Sequence, residues 1–114
     1  MHRSYETAIA AFEEAVRLGQ VHLDPTMLAM AQNNLAYHTL QAGDTARARE
    51  HLQTAVAITE QHALSFHWQY VHSTAGEIAL AEGTLDEADA HFVVNYWVAR
   101  WTRLCAASWR RRMQ

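Results

Sequence analysis

Lysine is absent from this chain, and cysteine and proline occur once each in 114 residues. A lone Cys105 cannot close an internal disulfide, and such usage fits a reducing compartment. Glycine is confined to positions 19, 43, 76 and 83, and the one proline is Pro25. So few backbone breakers argue against a turn-rich β fold. No apolar run approaches the roughly 20 residues that a membrane span needs. The opening MHRSYET lacks the apolar core of a signal peptide, so the expectation is a cytoplasmic protein with no membrane partner.

What is present points to helices. Half of the residues are apolar and 21 are alanine, the strongest helix former. Charge is unevenly distributed along the chain. Residues 1–89 carry four Arg against twelve acids, a balance of −8, whereas residues 90–114 carry five Arg and no acid.

The sequence repeats itself. Tyr5, Ala8, Phe12 and Ala15 align with Thr45, Ala48, Leu52 and Ala55, and again with Leu85, Ala88, Phe92 and Asn95, each time 40 residues on. A second set, Leu35, Ala36, Thr39, Leu40 and Gly43, matches Ala75, Gly76, Ala79, Leu80 and Gly83 at the same offset. Intervals of three and four place each set on one helix face. Between the sets lie the turns QAGDTARA and AEGTLDEA. There Gly43 and Gly83 suit the left-handed position after a helix, and Asp44 or Thr84 suits the next N-cap. Thr84 and Glu87 have the spacing of a capping box. The pattern predicts helices near 5–18, 25–42, 45–62, 66–82 and 85–110, with Asp24–Pro25 opening the second and Ser65 capping the fourth. Ala36, Gly76, Ala48 and Ala88 would let paired helices approach closely, with Leu40, Leu52, Leu80 and Phe92 filling the gaps.

In register, the second copy runs Gln32, Leu35, Ala36, Thr39, Gly43, Thr45, Ala48, Leu52, Ala55, and the third runs His72, Ala75, Gly76, Ala79, Gly83, Leu85, Ala88, Phe92, Asn95. These residues resemble the tetratricopeptide repeat over about residues 5–95, with a period of 40 in place of the family's usual 34. The resemblance implies an all-α, right-handed solenoid of about five antiparallel helices forming one domain over 1–114. Its parts are a half repeat at 5–18, repeats at 25–62 and 66–96, and a C-terminal helix extended to about 110. It further implies a non-catalytic module that binds a protein or peptide, as an extended segment or a helix, in a concave groove. A longer bacterial transcription regulator with a sensor array of this kind is the runner-up.

Mapped by register, the groove positions are Met30, Asn33, Asn34, Tyr37 and Gln41, then Tyr70, Ser73, Thr74 and Glu77. Asn33 and Asn34 can both donate to and accept from a peptide backbone, and Tyr37 and Tyr70 offer large contact area. No Lys or Arg falls among these positions, so a clamp for a terminal carboxylate is not expected.

The eight histidines form no motif. His62, His67 and His72 are spaced by five, which scatters them around a helix, and His-Glu-x-x-His and paired cysteines are lacking. Glu87 and His91 read as a surface i, i+4 pair. No metal, no cofactor and no catalytic residues are expected. Ser73 beside His72 cannot act as nucleophile and base, because adjacent helical side chains diverge by about 100°.

The tail WVARWTRLCAASWRRRMQ breaks the repeat. Trp97, Trp101 and Leu104 share a stripe, which together with Phe12 makes a candidate self-association surface, hence an expected homodimer; the competing reading is a tail that caps the solenoid, its tryptophans folded back on the fourth helix. Burial of each such ring gains roughly 1.5–3 kcal/mol. Nucleic-acid contact by the Trp–Arg mix is the least favoured reading of this tail, since the chain as a whole is acidic.

Overall fold

The computed structural model describes residues 2–84, 86–88, 90–94 and 111–112, and among them there is helix and no strand. Helix α1 spans His2–Val21, α2 Pro25–Gln41 and α3 Thr45–Gln61; a 3-10 turn at Ser65–His67 then leads into α4, Trp68–Glu82. Residues 86–88 and 90–94 are also helical. No helix among the described residues is long and apolar enough to cross a membrane.

Local chemistry sets the helix starts. Asp24 caps α2 by accepting from the Met27 amide at 3.1 Å, with Pro25 in the first turn, where its missing N–H is harmless. Asp44 caps α3 in the same way through the Arg47 amide. Ser65 does not cap α4. It begins the 3-10 turn, and α4 follows from it without a side-chain cap. Thr84 likewise forms no capping box in its hydroxyl bond, which donates back to the Ala79 carbonyl at 3.0 Å.

The helix ends share one device. Leu23, Gly43, Ala63 and Gly83 all have positive φ, at 51°, 99°, 52° and 79°. The residue after each donates its amide five residues back: Asp24 to Gly19, Asp44 to Thr39, Leu64 to Thr59 and Thr84 to Ala79, over 2.9–3.1 Å. A second amide bond runs three residues back from Leu23, Gly43, Ala63 and Gly83. Together these bonds make the Schellman motif, which satisfies the last carbonyls of a helix. It recurs every 20 residues, once per helix. At Gly43 and Gly83 an added Cβ would meet nothing within 4 Å, so conformation and not space calls for glycine there. Leu23 and Ala63 hold the same geometry with a side chain, which L-residues adopt at a cost of roughly 1–2 kcal/mol. Both are exposed. Ala63→Gly is therefore expected to raise unfolding free energy by about 0.5–1 kcal/mol, relief of strain outweighing the flexibility added to the unfolded chain. A urea midpoint at or below the parent's would contradict this.

The core lies where α2, α3 and α4 meet. Ala36, Ala48, Leu52, Ala55, Val71, Ala75 and Ile78 are buried together there, with Leu40, Val56 and Trp68 packed against them. Small residues bring the backbones close. A Cβ on Gly19 would sit 3.0 Å from Leu28, and one on Gly76 would sit 2.5 Å from the Phe92 ring. Polar links join the helices at the rim of this core. Arg49 on α3 pairs with Glu82 on α4, and the His51 ring bonds Gln32 Oε1 at 2.9 Å. Leu80 departs from expectation and is 45% exposed. The Phe92 ring lies against Gly76, one turn before Leu80.

Candidate functional site

One face of α2 and the start of α4 enclose a groove. Met30, Asn33 and Asn34 line it from α2, and Phe66, His67 and Tyr70 from the 3-10 turn and α4, around a cavity of about 350 Å³. A second cavity of about 360 Å³ adjoins it, lined by residues that include Phe12, Thr26, Met27 and Ala31. The two share Met30 and Asn34, so the groove continues along α2 toward α1.

Its rim is apolar and open. Met30, Phe66 and Tyr70 are each about half exposed, at 48%, 58% and 54%. Two of its lining residues, Asn33 and His67, are polar and buried. Asn33 Oδ1 and His67 Nε2 are both fully enclosed and have no hydrogen-bond partner. An enclosed polar atom without a partner loses about 1–3 kcal/mol of stability, so two of them beside one cavity need a reason. His67 packs on Phe66, ring centres 4.4 Å apart, and lies within 6.2 Å of Tyr70. Burial pushes its pKa below the usual histidine value. The ring is thus neutral at neutral pH, with one N–H and one lone pair to offer.

The expected groove residues divide. Asn33, Asn34 and Tyr70 come together with Met30. Asn33 and Thr74 are not exposed as expected but buried, although Asn33 lines the groove. Tyr37 is exposed and meets His38 edge-on, while Gln41 and Glu77 are exposed and Ser73 half-buried; none of the four lines the cavity. Phe12 is half-buried and stacks on His38 at 5.3 Å, forming a wall of the adjoining cavity. Trp97, Trp101 and Leu104 lie outside the described residues. Phe66 and His67 escaped the sequence reading because a 3-10 turn carries no helical periodicity to mark them.

Histidine burial makes stability depend on pH. His51, His67 and His72 all have pKa values lowered from 6.5, first by desolvation, with Arg47 adding to it at His51 and His91 at His72. A lowered folded pKa means that the unfolded chain takes up protons first on acidification. The associated stability is fully present above about pH 6.5 and is lost as pH falls below it. The urea midpoint is expected to drop between about pH 7.5 and 5.5, and to drop less in His67→Gln. Equal slopes in parent and variant would remove His67 from this account.

Among the described residues, no group of three or more His, Cys, Asp or Glu converges on a metal position. No protein-family model matches the chain, no curated protein is significantly similar to it, and no solved structure matches it.

Proposed function

We propose that this chain is a non-catalytic protein-interaction module whose groove takes an extended peptide carrying a large apolar side chain. The observation that carries this reading is that Asn33 and His67, which line one apolar-rimmed cavity, each keep an enclosed side-chain atom, Oδ1 and Nε2, without a hydrogen-bond partner; a peptide would reach them as the groove opens around it. A peptide group presents an N–H and a C=O side by side. The N–H would donate to Asn33 Oδ1, and the C=O would accept from the His67 ring in its Nε2–H tautomer. An apolar side chain would then lie against Met30, Phe66 and Tyr70. Among the described residues no Lys or Arg lines the cavity, which favours a peptide held by its backbone over one held by a terminal carboxylate.

A solenoid of tetratricopeptide type is the architecture that goes with this reading. It is supported by the Schellman turns recurring every 20 residues and by equivalent positions at a 40-residue offset, Ala36 and Leu52 within one core cluster and Gly76 against Phe92. Self-association as a homodimer through the tail stripe, in the cytoplasm, belongs to the same proposal and rests on the sequence pattern.

The test is selection of short peptides from a random display library on the full chain, followed by binding to variants. Asn33→Leu is expected to weaken a selected peptide at least tenfold. It is also expected to raise stability by about 1 kcal/mol, since it removes an unpaired carbonyl and adds a better helix former. A residue kept for structure could not show both effects. Peptides that bind Asn33→Leu and Tyr70→Ala as well as the parent would end this reading.

A further inference from the structure

The groove leaves unexplained a second cavity with a different chemistry. About 380 Å³ in volume, it is lined on α3 by residues including Arg49, Val56 and Glu60, on α4 by Trp68, Val71, His72 and Ala75, and beyond α4 by Glu87 and His91. It shares no residue with the peptide groove. His72 lies about 200° around α4 from Tyr70, so the two sites face different ways.

In this cavity the rings of His72 and His91 meet nitrogen to nitrogen. Their Nδ1 atoms are 3.1 Å apart, with ring centres at 5.3 Å. At that distance one ring donates its Nδ1–H to the lone pair of the other, and with that hydrogen lost both nitrogens become available to one ion. We propose that His72 and His91 are the two protein ligands of a site for a borderline divalent transition-metal ion, of which Zn²⁺ is the type.

Five features of the site support a cation there. With Zn–N bonds of about 2.0–2.1 Å, donors 3.1 Å apart subtend roughly 100° at the metal, close to the tetrahedral angle. Imidazole is the ligand that Zn²⁺, Ni²⁺ and Cu²⁺ accept in common. Glu87 Oε1 lies 3.7 Å from His91 Nε2, the nitrogen that remains when Nδ1 binds metal. At that distance the carboxylate makes no hydrogen bond to the ring, and what it brings to the site is negative charge. Arg49, the one Arg lining the cavity among the described residues, is engaged by Glu82 and Glu87, and Glu60 adds a further negative charge. Trp68, stacked on His72 at 5.6 Å, holds that ring in place. Water would fill the remaining coordination positions, leaving them open to an exogenous ligand. The ion would tie α4 to the helical residues 90–94.

The sequence concealed this pair. His72 and His91 are 19 residues apart on separate helical segments, and neither belongs to a short ligand motif.

The experiment is thermal melting of the full chain, stripped with EDTA and then titrated with ZnCl₂, together with His72→Gln, His91→Gln and a control, His62→Gln, at an exposed position. One Zn²⁺ per chain is expected to raise the Tm of the parent and of His62→Gln. His72→Gln and His91→Gln are expected to bind at least tenfold more weakly and to show no rise. Metal-free melts establish that the variants fold. A parent without a Zn²⁺-dependent rise, or a rise that persists in either ligand variant, overturns the proposal. If a ligand variant fails to fold, residue-resolved chemical labelling of the parent decides in its place. Diethylpyrocarbonate labelling read by peptide mass should be suppressed by Zn²⁺ at both His72 and His91, and labelling unchanged by Zn²⁺ at these two overturns the site.

Discussion

Gly76→Ala is expected to lower the free energy of unfolding by about 1–2 kcal/mol, although alanine normally stabilises a helix interior. A helical glycine replaced by alanine gains about 0.5–1 kcal/mol from backbone propensity. Here the new methyl would sit 2.5–2.9 Å from three atoms of the Phe92 ring, closer than carbon atoms tolerate. Overpacking of this kind costs about 1–3 kcal/mol. The clash is with a flat ring of only partial burial, so relief requires swinging that ring out and giving up its contact with α4. The repeat itself supplies the rescue. Forty residues earlier the same two positions are Ala36 and Leu52, which lie in one core cluster. The double change Gly76→Ala with Phe92→Leu is therefore expected to recover most of the loss, by recreating the pair the chain already uses. Phe92→Leu alone should destabilise, because it leaves a gap beside Gly76. A double-mutant cycle by urea unfolding checks all three. Additive effects would mean that these residues do not act as a pair, and the 40-residue register would lose its best structural support.

How much of this could be read beforehand follows from which interactions are local. Asp24 with Pro25, and Asp44, announce helix starts because a cap is made by neighbours within a few residues. Gly43 and Gly83 announce helix ends because glycine is the residue that positive φ selects. Leu23 and Ala63 adopt the same turn unannounced. Their backbone bonds are identical in kind, yet nothing in the residue type marks them, so the 20-residue recurrence emerges only from the dihedral angles. The candidate sites were harder still. Asn33 lines the cavity but is buried rather than exposed as its register suggests, since burial depends on what α4 and its preceding turn lay over it. His67 gains its role from a 3-10 turn that has no period, and the His72–His91 contact joins segments with no local relation. Capping and periodicity are short-range and leave a trace in composition; orphaned atoms and convergent rings are tertiary and leave none.

Ala48→Leu is expected to be a further strongly destabilising change, by about 1–3 kcal/mol. Ala48 stands in the first turn of α3 at 0% exposure, clustered with Ala36, Leu52 and Ala55. Leucine adds three carbons at a place where small residues, not flexible ones, set the approach of α3 to α2. The neighbours offer little relief, because Ala36 and Ala55 are themselves fully enclosed and a backbone cannot be shortened. Either α3 shifts outward, opening space around Leu52 and Val71, or leucine takes a strained rotamer. For a chain of this size each kcal/mol lowers Tm by roughly 4 °C. Ala57→Leu is the control, on the same helix with the same chemical change at an exposed position, and should stay within about 0.5 kcal/mol of the parent. Helix propensity acts alike on both, so the difference between the two variants isolates packing at the α2–α3 contact. If Ala48→Leu melted with Ala57→Leu, the close approach of these helices would not be what fixes the register of the repeat, and the alanines at 36, 48 and 55 would need another explanation than packing.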